Sequence, residues 1–170
     1  INLKNLNSLG KNNNEYKSSP QIELMSMINF NSAFPLIKEN NDHKNYLTPK
    51  ISLKFNPHDM KNYSTSDRKI GTENIFNNDR LGLEDTLETG KSLTFGVDYK
   101  REKIDDINKF FEMKLATVVR DKEENFIPSN STINKKNSNL FGSISNNFSE
   151  HLSIDYEFAL DNNFEIFEYN

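Results

Sequence analysis

Apolar and polar residues alternate along much of this chain, and the alternation is sharpest from Ser92 to Lys100. Leu93, Phe95, Val97 and Tyr99 fall on one side, while Ser92, Thr94, Gly96, Asp98 and Lys100 fall on the other. A period of two predicts a β-strand. The pattern recurs where Leu47, Pro49, Ile51, Leu53 and Phe55 oppose Thr48, Lys50, Ser52 and Lys54. It recurs again where Phe111, Met113, Leu115 and Val119 oppose Glu112, Lys114 and Ala116, with Val118 breaking the order late. Leu140, Ile144 and Phe148 oppose Ser143, Ser145 and Asn147. The most regular run sets Leu152, Ile154, Tyr156, Phe158 and Leu160 against Ser153, Asp155, Glu157 and Ala159. Weaker strands are expected at Ile1–Leu9, at Gln21–Asn31, where Met25 and Met27 disturb the parity of Ile22, Leu24, Ile28 and Phe30, and from Phe164 to Tyr169.

The connections differ in length. Gly10–Pro20 and Asp121–Lys136 read as polar loops, and Pro57–Thr89 is a long polar insert without periodicity, with room for one helical turn at Pro57–Tyr63. Inserts of that length inside compact domains are usually functional or mobile. Between them stand shorter turns, at Phe34–Asp42 with Pro35 and the run KENND, at Glu102–Asn108 and at Ser149–Glu150. Strands near ten residues match the ~9–11 needed to cross a bilayer at a tilt better than the ~5–6 of ordinary strands. Alternating long loops and short turns are the outer-membrane-barrel pattern. The expected fold is therefore all-β: antiparallel up-and-down strands, about eight of them, forming a segment of a large transmembrane β-barrel. A porin or ligand-gated transporter, or a soluble β-sandwich or adhesin domain, are the alternatives.

Composition sharpens the choice. Hydrophobic residues are 34% of the 170 and charged ones 27%, so a soluble core would be thin, while 13 Phe and 6 Tyr exclude a disordered chain. A net charge of -4 with both signs interspersed excludes a nucleic-acid footprint. No cysteine is present, no apolar run is long enough for a transmembrane helix, and no signal-peptide pattern opens the chain. Ile1 and Asn170 look like cuts, which predicts a slice of a longer protein. In a barrel, a Lys or Arg turned to mid-bilayer lipid costs ~2–4 kcal/mol. The polar parity, Lys50, Lys54, Thr94, Asp98, Lys100, Glu112, Lys114, Asp155 and Glu157, is therefore expected to line the lumen. The apolar parity is expected to face lipid, through Leu93, Phe95, Val97, Tyr99, Phe111, Met113, Leu115, Leu140, Ile144, Leu152, Ile154, Tyr156 and Phe158. Tyr46, Tyr99 and Tyr169 suit an aromatic girdle.

Little reads as catalysis. His43, His58 and His151 lie far apart without a second ligand at metal spacing, and no Gly-x-Ser-x-Gly elbow occurs, so neither a metal, a cofactor nor an enzyme is expected. Gly90 is expected to turn the chain, and Gly96 to mark a bulge or close packing. Pro49 removes a ladder donor, which implies a bulge or a weakened wall. The acidic groups Glu84, Asp85 and Glu88, and Asp121, Glu123 and Glu124, read as solvated loop charge, with divalent-cation binding the alternative.

Three stretches carry a resemblance: LTPKISLKFNP at Leu47–Pro57, IFNNDRLGLEDTLETGKSLTFGVDY at Ile75–Tyr99, and VVRDKEENFIPSNSTINKKNSNLFGSISNN at Val118–Asn147. In order and spacing they resemble the C-terminal barrel domain of the LptD family, the lipopolysaccharide-assembly proteins formerly called organic solvent tolerance proteins. The resemblance implies a partial barrel domain over 1–170, with the family's periplasmic jellyroll, lateral-gate strands and cysteines lying outside it. It implies an integral protein of the Gram-negative outer membrane, plugged by an LptE-like lipoprotein, that receives lipopolysaccharide from a periplasmic Lpt bridge and releases it into the outer leaflet. No bond is made or broken, and the free energy would come from ATP hydrolysis at the inner membrane. Lipopolysaccharide, the plug and outer-membrane lipid are the implied partners, with the lumen residues above as possible contacts.

Overall fold

The computed structural model describes residues 1–10, 18–161, 163 and 165–169. Its strands are β1 (Asn2–Ser8), β2 (Gln21–Ala33), β3 (Leu36–Glu39), β4 (His43–Asn56), β5 (Gly90–Lys103), β6 (Phe110–Arg120), β7 (Leu140–Ser149), β8 (Leu152–Leu160) and β9 (Ile166–Tyr169). They pair antiparallel in one sheet, in the order β1-β2-β4-β5-β6-β7-β8-β9, with β3 beside β4. Among the described residues the sheet ends on β1 and β9 without closing on itself. The expected all-β, up-and-down architecture is what forms. Most of the expected Gly10–Pro20 loop, at 11–17, and Phe164, the expected start of the last strand, lie outside the described residues.

Two local expectations are corrected. The stretch Phe34–Asp42 is not all turn: β3 continues in line with β2 along β4, and the chain reverses only after Glu39, with Asn40 N–H donating to His43 O at 2.9 Å. Pro35 interrupts the ladder without redirecting the chain, because a missing donor removes one bond and leaves the extended backbone intact. Pro49 makes no bulge: β4 pairs with β5 in unbroken register from His43↔Lys103 to Asn56↔Gly90, and Pro49 O accepts from Phe34 N–H at 3.0 Å. The helical turn expected at Pro57–Tyr63 is absent; a single 3₁₀ turn, Ser129–Ser131, stands in the other long loop.

The larger correction concerns the insert, which is neither loose nor uniformly polar. Met60, Ile70, Ile75, Leu81 and Leu83 from the insert join Ile127 and Ile133 from the 121–139 loop in one buried cluster. The sheet contributes Ala116, Val118, Phe141 and Ala159. Val118 broke the alternation because it is floor for this cluster, fully buried on the parity that also carries Thr94. Leu87 seats in a second cluster with Met25 and Met27, the residues that disturbed the parity of β2, and Leu6 packs against it. Both inserts spring from the same end of the sheet, beyond Asn56, Gly90, Arg120 and Leu140, and fold back over one face of it.

Candidate functional site

The face carrying Lys54, Ser92, Thr94 and Arg120 is roofed by the insert, and charge pins the roof. Because β4 ends at Asn56 and β5 begins at Gly90, the insert must leave and re-enter at one hairpin, and its stretch from Ile75 to Glu88 places anchors at close intervals. Lys54 Nζ donates to the carbonyl oxygens of Asn77 and Asn78, the latter at 3.2 Å. Asn78 Oδ1 accepts from Asn29 on β2 at 2.6 Å. Asp79 pairs with Lys4 on β1 at 2.8 Å, and Lys4 also donates to Leu83 O and to Thr86 O. The Phe76 ring presses on the wall at Gly96, where a Cβ would stand 2.7 Å from it; close packing, with no register shift, is the reason for that glycine. Gly90, at φ +82°, starts β5 in a conformation that favours glycine.

At the centre sit Arg80, Glu88 and Arg120, all buried. Arg80 Nε and Nη2 donate to the two Glu88 carboxylate oxygens at 2.7 and 2.5 Å, and its nitrogens reach Thr94 Oγ1 and Ser92 Oγ at 2.9 Å each. Arg120, at the end of β6, donates to Glu88, to Thr89 O at 3.0 Å and to Ile133 O at 2.5 Å. Glu88 thus joins β5 to β6 through the insert. Burial pushes its carboxyl up, but the two guanidiniums, aided by the Arg80 hydrogen bond and Lys54, prevail and hold it at about 2, below its ordinary 4.5. Burial likewise pushes Asp85 up, yet hydrogen bonds from Tyr63 (2.5 Å) and Lys61 (3.1 Å) leave it below the usual range. Glu88 and Asp85 are therefore braces rather than solvated loop charge.

The nine polar positions share this face in register, and they divide into two groups. Lys54 and Thr94 are sealed under the insert, at 2% and 0% exposure. The others remain partly open: Lys50 pairs with Asp98 and stands 5.6 Å from the Phe76 ring. Lys114 lies between Glu73 at 2.8 Å and Glu112 at 3.5 Å. Lys100 meets Glu102 at 2.8 Å, and Ser145 donates to Asp155. Glu157 lines a cleft between the insert and β7–β8, with Thr72, Glu73 and Phe141. On the opposite face lie Leu93, Phe95, Val97, Tyr99, Phe111, Met113, Leu115, Leu140, Ile144, Leu152, Ile154, Tyr156 and Phe158, half-buried against sheet neighbours or exposed. Phe95 is 44% exposed and Ile154 56%.

Residue patterns did not single out Arg80, Arg120, Lys4 or Phe76. The only signals were the density of charge and Asn in NNDRLGLED and the off-parity Val118. Among the described residues no group of His, Asp and Glu is placed to hold a metal ion. His43 neighbours Arg101, and His58 neighbours Ser26, each at 3.4 Å.

An open antiparallel sheet whose apolar face is bare and whose polar face is roofed is the arrangement of a barrel wall, not of a sandwich, which would bury apolar faces against each other. A comparison with curated proteins returned no match. The family model described as LptD: LPS transport system D matches residues 2–170. The chain belongs to the LptD family, outer-membrane β-barrel proteins that serve lipopolysaccharide transport and assembly rather than catalysis.

Proposed function

We propose that these strands are wall in an outer-membrane translocon that inserts lipopolysaccharide into the outer leaflet, as part of a longer barrel. The observation that carries this reading is the inverted burial of neighbours: Thr94 is fully covered while Phe95 stands open. In water that inversion would be unfavourable by ~25 cal/mol for each Å² of apolar surface left wet, whereas a hydrocarbon surround removes the penalty. Dimensions agree. On the bare face of β5, Leu93, Phe95, Val97 and Tyr99 are bounded by Lys91 and Arg101. Ten steps of ~3.3 Å at a tilt of ~40° rise ~25 Å, the height of the apolar band in such barrels.

On this reading the apolar parity faces lipid and the polar parity faces the lumen, with the long loops outside and the short turns in the periplasm. The insert closes the outer part of the lumen beside this wall. Lys50, Asp98, Lys100, Glu112, Lys114, Asp155 and Glu157 stay available to lipopolysaccharide sugars and phosphates or to an LptE-like plug, whereas Lys54 and Thr94 do not. Transport makes and breaks no covalent bond here. A domain outside these residues would receive the lipid from the periplasmic bridge. The test is depletion of the full-length protein in cells, followed by measurement of surface-exposed lipopolysaccharide. A fall is expected, and an unchanged surface level would refute the assembly role.

A further inference from the structure

At the short-turn end, alternation keeps the strands' carboxylates off the bare face and leaves cations on it. One transverse row runs Leu36, Leu47, Tyr99, Met113, Ile144 and Tyr156, all apolar or aromatic. The next row toward the turns runs Lys38, Asn45, Arg101, Phe111 and Asn146, and beyond it His43 pairs with Lys103. The carboxylates of the same strands, Glu39 and Glu102, fall on the other face and pair there with Lys44 and Lys100. Lys109 meets Asp106 at 3.1 Å, and Asp42 and Asp105 stand in the turns, one step farther from the apolar band. Lys38, Arg101 and Lys103 are exposed on the bare side and form none of the ion pairs found among the described residues. An open hollow here is lined by His43, Arg101, Lys103, Lys109, Phe111 and Phe148, joining cationic heads to aromatic rings.

We propose that this strip, Lys38, Arg101 and Lys103 beside the Tyr99 and Phe111 rings, docks the phosphate of anionic phospholipid headgroups in the leaflet on the short-turn side. Three features favour that occupant. The cations lie immediately next to the apolar band, at headgroup depth; their long stems can lie along apolar surface while the charge reaches the interface; and anionic lipid is the complement of a cationic strip fixed in a bilayer. A sugar-phosphate passing through the lumen would meet the other face. The inference rests on the lipid-facing reading above and adds a headgroup preference to it.

The test uses the full-length protein in nanodiscs of phosphatidylethanolamine mixed with phosphatidylglycerol, with native mass spectrometry counting the lipids that stay bound. The wild type should retain phosphatidylglycerol above its share of the mixture, and rising salt should erase the excess. Since each cation near an anionic surface contributes about fivefold, Arg101→Gln with Lys103→Gln should lower the preference at least tenfold. Arg101→Lys with Lys103→Arg should keep it, as should removal of equal charge from the opposite end by Lys122→Gln with Lys135→Gln. Equal retention of both lipids by a well-inserted wild-type barrel overturns the proposal and leaves the barrel reading standing. Failure of the protein to enter bilayers at all overturns both.

Discussion

Replacing Glu88 by glutamine should release the insert while leaving the strands paired. In the wild type the carboxylate takes three guanidinium hydrogen bonds, two from Arg80 and one from Arg120, in a site closed to water. Glutamine keeps one acceptor oxygen but turns an NH₂ toward Arg80, so a donor faces a donor and two buried guanidiniums lose their counter-charge. Breaking a buried pair by removing one partner costs ~3–5 kcal/mol. The depressed carboxyl expresses the same contacts: held at about 2 instead of 4.5, it prefers the ionised form in the folded state by about 3 kcal/mol. Because the folded value is the depressed one, this contribution is complete above about 4.5 and is lost as pH falls through about 2. Hydrogen exchange of the full-length barrel in nanodiscs, corrected for the intrinsic rate, reads the opening. Exchange at Ile75 and Leu81 should rise about a hundredfold or more in the variant at neutral pH, with the amides of β5 and β6 unchanged. Lowering the pH from 4.5 toward 2 should open the wild-type insert steeply and the variant's only by the smaller share that Asp85 contributes. Protection at Ile75 within threefold of wild type, or a variant that responds as steeply as wild type in that pH window, would refute the reasoning.

Three further outcomes follow from the same geometry. Gly96→Val should displace Phe76, because the added Cβ would stand 2.7 Å from its ring and 3.0 Å from Leu115 O; a loss of ~1–3 kcal/mol should appear as faster proteolysis within the insert. Phe95→Lys should destabilise the barrel by ~2–4 kcal/mol in urea titrations from bilayers. Glu112→Gln, on the other face, should change it by less than ~1 kcal/mol. The 170-residue chain alone should aggregate in detergent-free buffer, since Ile22, Leu24 and Phe30 stand 78%, 68% and 62% exposed and the sheet has unpaired edges. A monodisperse peak on size exclusion without detergent would contradict that.

The wall was legible because strand alternation is a local property: the faces of β4, β5, β6 and β8 follow from each residue and its next-but-one neighbour. The roof was not, because Met60, Ile70, Ile75, Leu81 and Leu83 have no period of their own and are placed by a sheet distant in sequence. The residues that looked like errors in the pattern, Met25, Met27 and Val118, were the footprints of that roof. Glu88 was misread for a related reason. Its neighbours Glu84 and Asp85 suggested a solvated acidic loop, and the guanidinium that neutralises it from β6 is 32 residues away. Pro35 misled in the other direction, since a proline followed by the polar run KENND signals a turn even where the neighbouring strand keeps the chain extended.

The insert's anchors also impose an order on assembly. Its contacts to Lys54, Ser92 and Thr94 lie on the two strands that flank it, so they can form as soon as that hairpin exists. Its contact to Lys4 spans 75 residues, and the one to Arg120 requires the next strand to have arrived. Loop-closure entropy opposes such distant contacts until the intervening hairpins have shortened the effective path. The contacts to β4 and β5 can therefore form first, and those to β1, β2 and β6 only once these strands have paired into the sheet on either side. A fully docked insert thus reports that the strands from β1 to β8 it rests on are in place.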